Sequence, residues 1–593
     1  MGTQIKRMRE ENAMLARLFM KLLPVQVAIV AMGAINSIVD GIVAARFIAA
    51  ASVGVIGLYY TMIRILEAVG AVLLGGVSVL SGRYLGSGKI DRTRGICSLG
   101  AAVALLVGVF LTLVSFAFPG KIADLLGANS QLREELSTYI RGYAIGIIPL
   151  LVGQQIAANL QLERQEKLGH AAVATMITVN VALDLLLVAV WDMGLWGLAL
   201  ATSLANWAYF LVVVQYYFTK KAQLKPSMKL ITWAETPDML KIGFPNALLI
   251  FCLAARSLVI NRIILTYAGS DGLSALSSFN MICALILSAA IGTGSLIRML
   301  TSVFFGEENR EGVLSLMQFV SSCIMVLMIL IAVAEILLAP VLAELFFPDT
   351  ASEVYRLTKQ LIVIYGFGVP LTLICIAYSS YCQAAGHRLF VNIISLMDGF
   401  FSMVIPALLL APKMGAVGVW LSFPLGLCIT LLVSMLYPIL KLKRWPRSLE
   451  EWLLLPPDFG TGERLVLTLK SAEEVTQTAE RVQEFCDGLS IPHKTGVHAG
   501  LCLEEMAGNV VHHGFHADHR HHTIELRVVP REDGVTLRIK DDCRPFNPQE
   551  WVEMTSSLQH DPFKNVGIRL VYAVAKEVEY QNLLGLNVLT IRL

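Results

Sequence analysis

"KLLPVQVAIVAMGAINSIVDGIVAARF", residues 21–47, is an apolar stretch with a proline near its start and one aspartate toward its end. It has a counterpart later in the chain. "KIGFPNALLIFCLAARSLVINRIILTY", residues 241–267, aligns with it at an offset of 221, which pairs Pro24 with Pro245 and Asp40 with Asn261. The same offset pairs "MGLWGLAL" at 193–200 with "MGAVGVWL" at 414–421. Two correspondences at one offset mark an internal duplication, and a duplication sets the architecture before any single element is assigned.

Around these stretches, apolar segments long enough to cross about 30 Å of hydrocarbon, roughly 20 residues each, recur. The first set lies at 18–44, 53–80, 96–118, 137–160, 171–191 and 195–218. The second lies at 239–267, 273–303, 313–339, 358–384, 388–410 and 415–440. The fold class expected is an all-α polytopic membrane protein of twelve transmembrane helices in two six-helix pseudo-repeats, followed by an α+β domain. Composition agrees: 55% of the 593 residues are hydrophobic and 16% charged, against about 25% charged in soluble proteins. A net charge of +2, with no basic domain, excludes nucleic acid as a partner. Ten cysteines stand singly, none in CxxC spacing, which suits reduced, packed thiols. The charged lead "MGTQIKRMREEN" precedes a long span with no cleavage site, so a retained first helix is expected; the myristoylation pattern is incomplete.

Orientation follows from the basic loops. "GRYLGSGKIDRTRG" carries Arg83, Lys89, Arg92 and Arg94, and "TKKAQLKPSMK" carries Lys220, Lys221, Lys225 and Lys229, whereas "VWDMGLWG" and "TYAGSDGL" carry none. Cytoplasmic loops hold the excess of Lys and Arg, so both termini are expected in the cytoplasm. "LGSGKID" is no phosphate loop, because Arg83 and Ile90 stand where a Walker A motif needs Gly and Ser or Thr.

Asp40 in the first span and Asp184 in the fifth are the leading functional candidates. Even insertion-based scales put a membrane-centre Asp at about 2.5–3.5 kcal/mol, so such a residue faces a cavity, a partner or an ion. Asn180 precedes Asp184 by one helical turn and shares its face; its amide oxygen can join a carboxylate around a hard cation. Arg64 and Glu67 are spaced to pair. Arg256, Arg298, Glu335 and Asp398 are expected near the interfaces in structural roles.

The proline-containing first span, "IVDGIVAAR", "SGRYLGSGKIDRTRG", "NVALDLLLV" and the repeated "MGxxGxxL" resemble the multidrug and toxin extrusion (MATE) transporters over residues 15–440. The resemblance implies a V-shaped twelve-helix transporter in the cytoplasmic membrane of a bacterium. It would export small organic, often cationic, compounds against proton or sodium entry. It also implies that Asp40, Asn180 and Asp184 gather with Thr202 of the sixth span, with Tyr139 as a neighbour, and that the first helix repacks near Pro24. A lipid-linked sugar flippase, from the same superfamily, is an alternative.

The composition changes at "KLKRWPRSLEEWLLLPPDFG", residues 441–460. The divisions expected are a lead at 1–17, an N-lobe at 18–218, an inter-lobe loop at 219–238, a C-lobe at 239–440, a linker at 441–462 and a soluble domain at 463–593. In that last part "RLVLTLK", "TIELRVV", "GVTLRIKDD" and "NVLTIRL" alternate like strands. "AEEVTQTAERVQEFCDGL" has helical spacing, and "NVGIRLVYAVAKEVEYQ" reads as a helix entered through Gly567. The "HHGFHADHRHH" run shows no metal-specific spacing.

The order "EExxxN", "DDCRPF", "NVGIRLV" resembles the GHKL-type (Bergerat) ATP-binding fold of histidine kinases, Hsp90, MutL and type II topoisomerases. The nearest likeness is to anti-sigma-factor serine kinases, over 463–593. The resemblance implies that Asn509 coordinates Mg²⁺ on ATP and that Glu505 is a general base. Asp541 or Asp542 would hold the adenine amino group, Gly567 would open the lid helix toward phosphate, and His513 matches a histidine that follows the Asn. Cys543 and Asn565 depart from the pattern by replacing glycines. The function expected is a cation-coupled antiporter whose ATP-binding domain senses nucleotide or docks a cytoplasmic STAS-type or sigma-factor-like protein; the alternative is a receptor with Ser/Thr-kinase output.

Overall fold

The computed structural model describes residues 16–28, 30–31, 50–126, 132–163, 165–219, 222–460, 462–489, 491–515, 522–531, 534–556, 566–583 and 586–593. The chain divides into two compact units, one built chiefly from Pro456–Leu593 and the other from Glu11–Gln161 and Gln165–Leu455.

The larger unit is helical. Among the described residues nine helices are long and apolar enough to cross a membrane, from Thr61–Gly86 to Ala416–Leu442. Two further spans are bent pairs: Leu132–Ala144 with Ile147–Leu162, at 41°, and Glu353–Gly366 with Val369–Ala385, at 49°. The second bend falls where Gly368 precedes a helix with proline in its first turn, a place where helical hydrogen bonding cannot run through. These eleven spans coincide with the second to twelfth apolar segments of the sequence. Residues 16–28 are helical and include Pro24; Asp40 lies outside the described residues. The seventh and eighth spans, Trp233–Gly269 and Asp271–Gly306, are parted at Gly269, whose φ of 63° only glycine adopts at little cost.

The two lobes meet along the second, seventh and eighth spans. A Cβ on Gly86 would overlap the Val303 carbonyl oxygen, and one on Gly306 would overlap the Arg83 carbonyl oxygen. The Arg83 Nη2 donates to the Ala384 carbonyl at 2.6 Å, adding a polar tie at the same end. Because backbone meets backbone there, a larger residue has nowhere to go: overpacking of this kind costs about 1–3 kcal/mol. Gly306→Val is expected to lower the melting temperature of the purified protein, whereas Gly488→Ala, with open space around it, leaves it unchanged; a thermal melt in detergent checks both.

The smaller unit is a five-stranded antiparallel sheet of order β1-β2-β3-β5-β4. The strands are β1 Leu465–Leu469, β2 Ile524–Arg531, β3 Gly534–Asp541, β4 Glu577–Leu583 and β5 Leu586–Arg592. The helices are α1 Ala472–Gly488, α2 His493–Asn509, α3 Pro548–Ser556 and α4 Val566–Val574. Alternate strand residues Leu526, Val528, Val535, Leu537, Ile539, Leu589 and Ile591 pack against Val475, Ala479 and Val482 of α1 and Ala499, Leu503 and Met506 of α2. A period of two thus meets a period of 3.6 across one core.

One segment differs from its sequence reading. "NVGIRLVYAVAKEVEYQ" is not one helix: α4 ends at Val574 and "EVEYQNL" is strand β4. Val578 and Tyr580 alternate and pair with Ile591 and Leu589 of β5, so cross-strand packing overrides the helical continuation.

Candidate functional site

In the membrane unit, the α-helix Glu166–Asp184 passes directly into a π-helical turn, Leu185–Val190. Such turns interrupt the regular ladder and are frequent at functional positions. Asn180 and Asp184 are both wholly buried. The Asn180 Nδ2 donates to Thr202 Oγ1 at 3.5 Å, and that hydroxyl donates to the Leu198 carbonyl at 3.3 Å. The Asn180 Oδ1, also buried, accepts from no described residue. Three of the expected polar residues therefore lie on the facing fifth and sixth spans. Tyr139 is buried against Tyr59, with ring centroids 5.1 Å apart, and Tyr59 lies 4.9 Å from Tyr143. Tyr59 was not singled out in the sequence: an aromatic on an apolar span gives no signal of its own. Pro24 is exposed on its helix.

In the second lobe an Arg–Glu pair of the same i, i+3 spacing as Arg64 and Glu67 recurs between Glu353 and Arg356. Arg64 and Glu67 themselves meet at 2.8 Å as their spacing requires, whereas Arg256 donates to the Asp398 backbone carbonyl at 3.0 Å and Arg298 to Gln383 Oε1 at 3.1 Å. Glu335 does not snorkel outward but is buried. It is 3% exposed on the buried stripe Ala332, Glu335, Ala339, Ala343, and neither of its oxygens has a hydrogen bond among the described residues. Small neighbours on that stripe leave room for it.

In the C-terminal unit, α2 delivers Glu505 and Asn509 one turn apart, then continues as a π-helical turn, Val510–Gly514. Glu505, Asn509 and Gly508 are half-buried and His513 is exposed. A Cβ added to Gly508 would meet nothing within 4 Å, so this face is open. A Cβ on Gly567 would overlap the Glu505 carboxylate. The first turn of α4 therefore rests on Glu505, and glycine is what permits that approach. Gly567→Val is expected to displace the flexible Glu505 carboxylate and crowd the helix start that would approach phosphate, and so to weaken ATP-analogue binding by the full chain, with Gly488→Ala as a silent control; equilibrium binding of a fluorescent analogue checks this.

Strand parity separates the two candidate aspartates. Val535, Leu537, Ile539 and Asp541 share one side of β3, the side that faces the helices, so Asp541 is buried, whereas Asp542, just past the strand, is half-buried and meets His522. The Asp541 Oδ1 accepts from the Cys543 backbone N–H at 2.9 Å and from Asn587 Nδ2 at 2.6 Å. Asn587 is its register partner on β5 and was not found in the sequence. Burial pushes the Asp541 carboxyl above its usual range, against the Asn587 and Cys543 hydrogen bonds that favour its charge. The fold thus bears a cost for a charged group at the end of β3, which is typical of a site rather than a core. That cost is absent at low pH, where the carboxyl is protonated folded and unfolded; it grows as pH rises from the unfolded toward the folded value and is full above it. Asp541→Asn keeps an oxygen for both donors, so it is expected to melt higher than the parent at pH 7, with the difference vanishing on acidification; thermal unfolding of the C-terminal unit within the full chain checks it. Cys543 has no left-handed backbone, so its replacement of glycine imposes no strain. Asn565 lies outside the described residues.

Comparison with known proteins matches these units separately. The MatE family matches residues 27–186 and 245–408, and the histidine kinase-like ATPase domain matches 468–593. The multidrug export protein MepA of Staphylococcus aureus is 22% identical over 422 residues, covering 68% of this chain and 90% of that protein. MepA of Staphylococcus saprophyticus is 24% identical over 245 residues, and there the match spans 53% of the relative's length. Among solved structures, the outward-facing conformation of a multidrug resistance MATE family transporter of the MOP superfamily superposes with a TM-score of 0.67 at 18% identity, covering 72% of this chain and 95% of that one. The bent form of the Vibrio cholerae MATE transporter VcmN superposes at 0.65 and 16% identity, covering 71% and 95%. Its matched residues on both lobes and its fold make this chain a member of the MatE family, a multi-pass membrane transporter that carries a histidine kinase-like ATPase domain at its C-terminal end.

Proposed function

We propose that the chain is a proton- or sodium-coupled antiporter that exports small, drug-like organic cations from the cytoplasm of a bacterium, with both termini cytoplasmic. The observation that carries this reading is that Asn180 and Asp184 are wholly buried one helical turn apart inside an apolar lobe, with Asn180 donating to Thr202. A buried carboxylate there favours a cation, a proton or a cationic cargo, and these compete for it. With Asp184 and Asp40 ionised, the lobe holds the cargo. A proton or Na⁺ entering from outside neutralises them, Asn180 and Thr202 supply neutral oxygen ligands, and the first helix repacks around Pro24 as the cargo leaves. Tyr139, beside Tyr59, lines the aromatic side of this path. The relatives named as multidrug export proteins support the substrate class. Efflux of a cationic dye from proteoliposomes under an imposed ion gradient tests it.

The C-terminal unit reads as a nucleotide-binding regulator. Its residues fit the group: a carboxylate fixed at the end of β3, an open face at Gly508, and a helix start resting on Glu505. Asp541 would hold the adenine amino group, while Asp542 is engaged by His522. Asn509 would hold Mg²⁺, the amides at Gly567 would approach phosphate, and His513 stands at the rim. Bound ATP supplies a transferable phosphoryl group, and Glu505 is placed to take a proton from an incoming hydroxyl of a STAS-type or sigma-factor-like partner. Transport itself draws on the ion gradient.

A further inference from the structure

Ile524 of β2 pairs with Asp541 of β3. Continuing that antiparallel register two residues outward sets His522 opposite Cys543, with Asp542 between them. The side chains converge there. His522 Nδ1 lies 2.9 Å from Asp542 Oδ1, and one ligand atom from each of His522, Asp542 and Cys543 falls within 4.8 Å of the others. His522 is 7% and Cys543 4% exposed, and Asp542 is half-buried. The Phe515 ring covers the imidazole, with centroids 5.9 Å apart. Gly514 closes the other side: a Cβ there would come 2.9 Å from Cys543 Sγ.

An imidazole nitrogen, a thiolate and a carboxylate are the donor types that Zn²⁺ takes, at about 2.0–2.3 Å and in tetrahedral array. That array sets neighbouring donor atoms about 3.3–3.6 Å apart, so small side-chain rotations bring the three into place. Calcium and magnesium prefer all-oxygen sites, and one cysteine cannot hold an iron–sulfur cluster. We propose that His522, Asp542 and Cys543 form a zinc site, with three protein ligands and a fourth position for water. Binding releases the Cys543 thiol proton to solvent, and the imidazole ligates as the neutral base. The metal would tie the end of β3 to the chain entering β2 and so fix the turn that carries Asp541. The site stands on its own residues and does not require that nucleotide binds.

The test uses the full chain, purified in detergent without a histidine tag. Expected are one tightly held zinc per chain by elemental analysis and, after exchange to Co²⁺, a thiolate-to-cobalt charge-transfer absorption in the near ultraviolet. His522→Ala and Cys543→Ser are each expected to weaken zinc more than about tenfold, and Cys543→Ser to remove the charge-transfer band. His522→Cys exchanges one zinc ligand for another and is expected to retain the metal. Absence of stoichiometric zinc and of the cobalt band in the parent protein overturns the proposal, as does undiminished binding by Cys543→Ser, which would put the metal on other histidines. Should the alanine and serine variants fail to fold, the cobalt spectra of the parent and of His522→Cys decide.

Discussion

Asp184→Asn is expected to reduce gradient-driven dye efflux to the level of liposomes without protein, while the protein still folds. The substitution keeps the size of the side chain and removes only its charge and its exchangeable proton. In the proposed cycle both are indispensable: an amide can neither attract a cationic cargo nor alternate between protonated and ionised forms. Stability is expected to be unchanged or higher, because a wholly buried carboxylate is a cost that neutralisation removes. Thr202→Val, which deletes the acceptor of the Asn180 amide, leaves the carboxylate in place. It is expected to slow efflux rather than abolish it, and to shift the dependence on the driving ion. Intact efflux by Asp184→Asn in reconstituted vesicles would refute the assignment of this residue.

Asn509→Ala carries the second large effect. If this amide holds the metal on the nucleotide phosphates, its loss is expected to raise the Kd for an ATP analogue at least a hundredfold, about 2.7 kcal/mol. Glu505→Gln is expected to retain binding, since the amide still fills the space under Gly567, and to lose any phosphoryl transfer to a partner protein. Neither variant is expected to change efflux driven by an ion gradient in the absence of nucleotide. Isothermal titration of the full chain in detergent, set beside the efflux assay, separates the two roles; unchanged analogue binding by Asn509→Ala would remove the nucleotide site as drawn.

The architecture was legible because a duplicated hydropathy pattern carries it. Pro24 and Pro245, or "MGLWGLAL" and "MGAVGVWL", report the repeat directly, and apolar length reports each span. Which way a residue faces is a different matter. Glu335 looked peripheral because hydropathy gives depth and not facing; its burial depends on which side of its helix carries Ala332 and Ala339. Asp541 and Asp542 could not be separated until the parity of β3 fixed the first inward and the second was found against His522. The end of α4 was misplaced because "KEVEYQ" satisfies a helical pattern locally, and only pairing with β5 makes it a strand. Asn587 depends on register between β3 and β5, strands far apart in sequence, and the His522–Cys543 approach on the register of the β2–β3 hairpin, neither of which local spacing encodes. Cys543 stands where the pattern has glycine, and the backbone there does not need one.

The most direct measurement of the central claim is efflux of a cationic dye from proteoliposomes under an imposed proton or sodium gradient, with no nucleotide present. The parent chain is expected to transport under the gradient alone, with Asp184→Asn inactive and Asn509→Ala active. Efflux that requires ATP, or that proceeds equally in Asp184→Asn, would contradict it.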